Sequence, residues 1–225
     1  MTFSVVTPAS TTDLVDLESV KSYLQITDDA QDARLAKLIT QASSSFADYL
    51  GRSLALQTYR ERQTIKGRIP GINLSNGPIA SILSASVDGV AWTGVLDECD
   101  VERNGARIMA SAFLPPRQLC FTRPVVVEVI YIAGFVLPGM DKAVVPDNAL
   151  LPWQATPLPA AISGGCLSTI QMLLGVSGRD PLLKSENIQG VGSTSYASLD
   201  PATGGLSADA VASLSRLSIM ADWMA

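Results

Sequence analysis

The stretch that decides the fold runs from Asp28 to Leu54 and reads DDAQDARLAKLITQASSSFADYLGRSL. Its apolar residues recur at helical spacing, which predicts an amphipathic helix with one buried stripe. The stripe comprises Leu35, Leu38, Ile39, Ala42, Phe46, Tyr49 and Leu50. Gly51 follows at the C′ position and is expected to end the helix. Asp28, Asp29 and Asp32 crowd the first turn, where the helix dipole favours carboxylates.

A shorter helix is predicted just upstream. Asp16 is a suitable N-cap, and the apolar residues after it repeat at helical spacing as far as Leu24. This helix is expected to end near Gln25. The polar turn Ile26–Asp29 is then predicted to cap the second helix, so that residues 1–53 form an N-terminal helical segment.

From Leu54 the apolar pattern changes to a period of two, which indicates β-strands. Turn signals such as Asn76-Gly77-Pro78, Asp88-Gly89 and Asn104-Gly105 interrupt it at short intervals. Strands are predicted over residues 54–68, 79–87, 98–101, 107–109 and 124–133. Residues 54–135 are therefore interpreted as a small antiparallel sheet inserted between helices.

The rest of the chain is predicted to return to helix. Residues 136–178 contain a proline-rich connection and then a buried helix from Pro159 to Val176, whose face we expect to pack against the stripe. Residues 179–225 are interpreted as an extended arm and a terminal helix from Ala210 to about Trp223. The predicted fold is α+β, a bundle of three to four helices with an inserted sheet and a C-terminal arm, in one structural domain overall.

Composition and charge exclude several functions. The chain has 225 residues, 16 basic and 21 acidic side chains, a net charge of −5 and no histidine. This balance disfavours a general nucleic-acid-binding protein, and the absence of imidazole removes the commonest catalytic base. Charged residues make up 16% of the chain, against about 25% in an ordinary domain. We interpret so small a charged surface as a sign of oligomerisation.

Motifs for catalysis and cofactor binding are absent from the sequence. None of the nucleotide-binding, nucleophile-elbow or zinc-protease patterns occurs, and the three cysteines are widely spaced. We therefore predict no enzyme, no cofactor, no metal site and no membrane span. Glu98, Asp100 and Glu102 alternate along one predicted strand. They fit either a solvated acidic face or, as a less favoured alternative, the paired carboxylates of a small hydrolase.

One basic concentration stands out in this acidic chain. Arg60, Arg62, Lys66 and Arg68 fall on one face of the predicted strand. Such a face fits ordinary solvation, nucleic acid or an acidic partner. We also hypothesise that Arg60, Arg62 or Arg68 meets an acidic residue of the next set, within a subunit or across a subunit boundary. That acidic set is Glu98, Asp100 and Glu102.

The N-terminal block resembles the head-tail connector (adaptor) proteins of tailed phages and gene transfer agents. The resemblance is carried by LESVKSYL at residues 17–24, by the stripe, and by DYLGRSL at residues 48–54. Three further stretches follow in the order usual for that family: Gly77-Pro78-Ile79, Tyr131–Phe135 and Pro159–Ile162.

This resemblance implies a structural role in a virion neck. Adaptors of the family form a ring, commonly twelvefold, beneath the portal protein, and join it to the stopper or tail while DNA passes through the lumen without specific binding. It also implies synthesis in the cytoplasm of a bacterial host. A stopper or tail-completion protein is the alternative within the same particle.

The family's use of its C-terminal part to engage the portal directs attention to the arm, residues 183–199. Its glycines and hydroxyl residues are too polar to form a core, yet three apolar residues are spaced along it. We expect these residues, Ile188, Val191 and Tyr196, to bind the portal, with the arm adding an extended strand to its partner's edge.

Overall fold

The computed structural model describes residues 2–68, 71–109, 120–140, 147–176, 185–188, 192–195 and 204–222. The chain divides into two compact units. The helical unit comprises Thr12–Arg52 and Leu158–Ser218, and the β-rich unit comprises Met1–Thr11, Ser53–Pro157 and Ile219–Ala225. Helices and antiparallel sheets occur in separate stretches, which confirms the predicted α+β class.

The helices are α1 (Leu17–Leu24), α2 (Asp32–Leu50), α3 (Ala160–Val176) and α4 (Ala208–Asp222). The Asp16 side chain caps α1 by accepting a hydrogen bond from the Ser19 amide at 3.1 Å. Gln25 ends α1 in a left-handed conformation with φ 57°, and Gly51 ends α2 with φ 65°. Both predicted helix ends are confirmed.

Helix α2 supplies much of the core of the helical unit and packs against α1 and α3. Leu35, Ile39, Ala42 and Phe46 are buried along its stripe, and Ile162, Cys166 and Ile170 are buried on α3. The predicted packing of the stripe against the helix after Pro159 is thus confirmed.

The start of α2 differs from the prediction. Its N-cap is Gln31, which makes no side-chain capping bond, and not the Ile26–Asp29 turn. The Lys21 ammonium of α1 instead binds the Asp29 and Asp32 carboxylates, at 2.5 and 2.9 Å. These carboxylates therefore tie α1 to the start of α2, and Asp32, which lies in the first turn, is also favourably placed in the helix dipole.

Helices α3 and α4 approach each other closely at Gly165. A Cβ atom added there would lie 2.8 Å from the Ala210 Cα atom. Beside this contact, the Ser207 hydroxyl accepts a hydrogen bond from the Ala210 amide, and the Ser207 amide donates to the Thr169 hydroxyl. Small residues thus let α4 begin directly against α3 with its first polar groups satisfied.

The β-rich unit contains a five-stranded antiparallel sheet in the order β1-β2-β8-β4-β5 and a three-stranded sheet in the order β3-β7-β6. In chain order the strands are β1 (Thr2–Thr7), β2 (Gln57–Arg68), β3 (Gly71–Asn73), β4 (Ile79–Val87), β5 (Val90–Ala91), β6 (Val101–Glu102), β7 (Arg107–Met109) and β8 (Cys120–Ala133). Buried residues of both sheets form one hydrophobic cluster. The unit is therefore built as two layers with a core between them.

Two parts of this unit differ from the prediction. Strand β1 lies in the stretch that the sequence assigns to the N-terminal helices. The prediction missed this strand because its structure depends on pairing with β2, in a register from Thr2↔Arg62 to Thr7↔Thr58. Residues 98–101 are not a strand, since Glu98–Asp100 form one 3-10 turn and β6 begins at Val101. The Asp97 and Asp100 side chains form a capping box there. These local hydrogen bonds favour a turn over the strand that the alternating pattern predicts.

Part of the predicted arm is a short hairpin of β9 (Ser185–Ile188) and β10 (Gly192–Ser195), in which Ile188 lies opposite Gly192. Val191 and Tyr196 lie outside the described residues. The expectation that this arm binds a partner therefore stays a prediction.

Candidate functional site

Alternation along β2 divides its side chains between the two faces of the large sheet. Tyr59, Glu61 and Ile65 are buried and point towards the small sheet, whereas Arg60, Arg62 and Lys66 are exposed on the opposite side. We call these three cations the basic face. The side chain of Arg68 lies outside the described residues.

Within the basic face, the cations differ in their partners. The Arg60 guanidinium binds the Glu128 carboxylate of β8 at 2.8 Å. Arg62 lies opposite Glu128 in the strand register, but that carboxylate already has its partner. Among the described residues, no acidic side chain binds Arg62 or Lys66. The basic face thus presents two uncompensated positive charges to solvent.

A set of carboxylates lies beside the small sheet, and we call Asp97, Glu98, Asp100 and Glu102 the acidic edge. Glu98 binds Arg103 at 3.1 Å, and Asp100 accepts a hydrogen bond from the Asp97 amide at 3.1 Å. Glu102 is exposed at the end of β6, next to the buried Val101. The carboxylates are therefore held by local structural bonds or exposed to water.

Sequence reasoning missed Arg103, which fastens the acidic edge to the rest of the unit. Its guanidinium donates to the carbonyl groups of Ile79, Ala80 and Pro152 at 3.1, 2.9 and 3.1 Å, besides binding Glu98. A planar guanidinium with five donors suits such a junction of several acceptors. Arg103 is one basic residue among 16 in the sequence, and nothing in its spacing marks this role.

The predicted contact between the two charged sets does not form inside the described part of the subunit. Arg60 binds Glu128 and Glu98 binds Arg103, so each set is bound by its own neighbours. Contact across a subunit boundary stays a prediction.

Glu61 is the second residue whose role the sequence did not indicate. It is 1% exposed, and its carboxylate accepts hydrogen bonds from the Ser75 amide at 2.8 Å, the Tyr131 hydroxyl at 2.9 Å and the Gln63 amide group at 2.7 Å. The Tyr131 hydroxyl also accepts a bond from the Asn76 amide at 3.3 Å. Burial and the Glu61 carboxylate raise the pKa of Tyr131 well above its usual value. Its hydroxyl thus stays a donor, and the cluster holds the turn at residues 74–78 against the sheet.

Other features bear on chemistry. Among the described residues no group of three or more His, Cys, Asp or Glu side chains could hold a metal ion. Burial raises the pKa of the Cys166 thiol to about 12, which makes it a poor nucleophile, while Cys99 is exposed. No helix in the described part of the chain is long and apolar enough to cross a bilayer.

Comparison with known protein families gives a match for the first part of the chain. Residues 14–88 match the family described as phage gp6-like head-tail connector protein. The resemblance to the head-tail connector family is confirmed. The matched stretch covers about a third of the chain and contains α1, α2 and strands β2, β3 and β4.

Solved structures include distant likenesses. The chain is 16% identical to a protein in the neck of an empty gene transfer agent particle computed with C6 symmetry, over 84% of this chain and 88% of that one, with a TM-score of 0.48. A chain of a native gene transfer agent virion is 16% identical over 87% and 89%, with a TM-score of 0.45. A neck chain computed with C12 symmetry is 14% identical over 96% and 94%, also at 0.45. No protein of curated function matches the chain.

Proposed function

We propose that this chain is a structural head-to-tail adaptor in the neck of a virion. Its copies form a ring beneath the portal protein and join that protein to the stopper or tail, and DNA passes through the lumen of the ring. The match of residues 14–88 to the head-tail connector family carries this proposal.

Physical properties of the chain support a ring of this kind. A charged fraction of 16% is low for a free monomer, and ring formation would cover part of the uncharged surface. The net charge of −5 disfavours tight binding to DNA phosphates, which suits a channel through which DNA must slide. A dodecamer is the copy number that we propose from the resemblance.

The proposed partners lie on the two sides of the ring. The arm at residues 183–199 binds the portal through Ile188, Val191 and Tyr196, and the far side of the ring receives the stopper or tail-completion protein. Extended segments suit such contacts because their backbone groups pair with a partner's strand edge.

Deleting the gene for this chain from a particle-producing cell tests the proposal. We expect heads that package DNA and separate, complete tails, because the joint between them is missing. Restoring the chain from a plasmid should restore joined particles. Joined particles in the deletion strain would contradict the adaptor role. Necks that keep a complete ring on the portal but lack the next component would assign the chain to the stopper position instead.

A further inference from the structure

Arg62 and Lys66 of the basic face and Glu102 of the acidic edge lie on opposite sides of one two-layered unit, whereas Arg103 holds Glu98 beside the Ile79 and Ala80 carbonyl groups of β4. Arg62 and Lys66 alternate with the buried residues of β2, so they point away from the small sheet. Glu102 alternates with the buried Val101 of β6, so it points away from the large sheet. Stacked sheets are about 10 Å apart, and the core between them separates the two charged sets. No ion pair joins the two sets in the described part of one copy.

Both sets keep uncompensated charge towards solvent. Arg62 and Lys66 have no acidic partner among the described residues, since Glu128 is bound by Arg60. On the acidic edge, Arg103 compensates only Glu98. Asp97 and Glu102 are exposed and form no ion pair in the described part of the chain, although Arg107 lies opposite Glu102 in the strand register. Among the described residues, two cations of the basic face and two carboxylates of the acidic edge thus stand without an ion pair.

We propose that the basic face of one copy binds the acidic edge of the next copy, head to tail. Two different complementary patches on opposite sides of one body make a heterologous contact, and repetition of that contact closes into a ring when the rotation allows. This inference rests on the proposed ring, and it names the residues that join its subunits: Arg62 and Lys66 on one side, Asp97 and Glu102 on the other.

A second copy fits the basic face better than nucleic acid does. The face combines the Arg60–Glu128 ion pair with only two further exposed cations, Arg62 and Lys66, which is a small footprint for a phosphate backbone, whose binding grows with the number of phosphates neutralised. The acidic edge, in contrast, offers carboxylates to the two cations that have no partner.

Reversal of single charges tests the contact in the full-length chain. Arg62→Glu and Glu102→Arg should each weaken assembly about tenfold, because each places like charges across the interface. The double variant carrying both changes should recover assembly, since opposite charges then face each other again with the two signs exchanged. Lys37→Glu is the matched control, as it makes a cation-to-carboxylate change at an exposed position on α2. It should assemble like the wild type.

The readouts are native mass spectrometry at two salt concentrations and carboxylate-to-amine cross-linking in a mixture of light and heavy isotope-labelled copies. We expect cross-links from Lys66 to Glu102 or Asp97 between a light and a heavy chain. Single variants that assemble like the wild type, or a double variant no better than either, would overturn this inference and leave the proposed function standing. So would an Arg62→Glu variant that loses only DNA retention. A wild type that is monomeric alone and absent from necks would overturn both.

Discussion

The Tyr131 hydroxyl donates a hydrogen bond of 2.9 Å to the Glu61 carboxylate inside the core of the β-rich unit. Glu61 lies on β2 and Tyr131 on β8, the neighbouring strand. The same carboxylate accepts a bond from the Ser75 amide. This pair therefore joins the longest strand pairing of the sheet to the turn that leads into β4.

Removing one donor from Glu61 should destabilise the β-rich unit. We expect Tyr131→Phe to lower the free energy of unfolding by about 1–3 kcal/mol, because the buried Glu61 side chain loses a hydrogen-bond donor. Urea unfolding followed by far-UV circular dichroism measures this change. Ser45→Ala, which removes the hydroxyl of a half-buried serine that donates to the Gln41 carbonyl within α2, is the control and should change stability little. An unchanged midpoint for Tyr131→Phe would show that water replaces the hydroxyl.

Truncating a buried side chain in the stripe of α2 should lower the free energy of unfolding more than removing the Tyr131 hydroxyl does. Phe46 is fully buried, so Phe46→Ala should cost about 3–5 kcal/mol through lost burial and the cavity left behind. Tyr49→Ala on the same helix is the comparison, because Tyr49 is 39% exposed and its loss should cost much less. Thermal melts of both variants measure the difference. Equal melting temperatures would contradict the assignment of Phe46 to the core.

Substitution by alanine should have opposite effects on stability at two adjacent glycines of α3. Gly165→Ala places a methyl group 2.8 Å from the Ala210 Cα atom, so we expect a loss of about 1–3 kcal/mol from overpacking. Gly164→Ala meets nothing within 4 Å and should be neutral or stabilising by up to about 1 kcal/mol, because alanine favours helix. Chemical unfolding of both variants tests this contrast. Equal effects would mean that α4 does not approach α3 closely.

The Lys21–Asp29 contact predicts a dependence of stability on pH. Hydrogen bonding to Lys21 lowers the pKa of Asp29, and the same bond raises the pKa of Lys21. Asp29 thus stabilises the fold above its unfolded pKa, and this contribution is lost as pH falls through its lower folded pKa. The stability difference between wild type and Asp29→Asn should be constant at neutral pH and shrink in acid. A difference that grows on acidification would contradict the contact.

Replacing the arm should affect binding to the portal protein and not the stability of the fold. Replacing residues 185–198 by a short Gly-Ser bridge should leave the melting temperature unchanged and weaken binding to the portal protein. A second variant, whose Gly-Ser bridge is as long as the replaced segment, tests whether portal binding needs the side chains of the arm or only a chain of that length. Co-purification of the variant with the portal at wild-type affinity would contradict a role of the arm in portal binding.

Local sequence signals predicted the helical unit well, because its structure is set by short-range chemistry. Asp16, Gln25 and Gly51 mark helix ends through their own backbone and capping preferences, and the stripe identifies the packed face of α2. These features need no knowledge of distant partners.

The features that sequence reasoning missed depend on partners far along the chain. Strand β1 forms against residues of β2, beyond both N-terminal helices, and Arg103 binds carbonyl groups on β4 and at Pro152. Glu61 lies among cations in the sequence and is therefore expected at the surface. Its burial is possible because Tyr131 and Ser75 donate hydrogen bonds to its carboxylate. A polar residue that is buried with its partners leaves no periodic trace in one sequence.

Native mass spectrometry of the purified chain, with and without the portal protein, tests whether the chain forms a ring that binds the portal. We expect a closed oligomer whose mass is a multiple of 23.7 kDa, a dodecamer, and a heavier species that contains this ring and the portal. A single 23.7 kDa species at every concentration, with no mass corresponding to a complex with the portal, would contradict it.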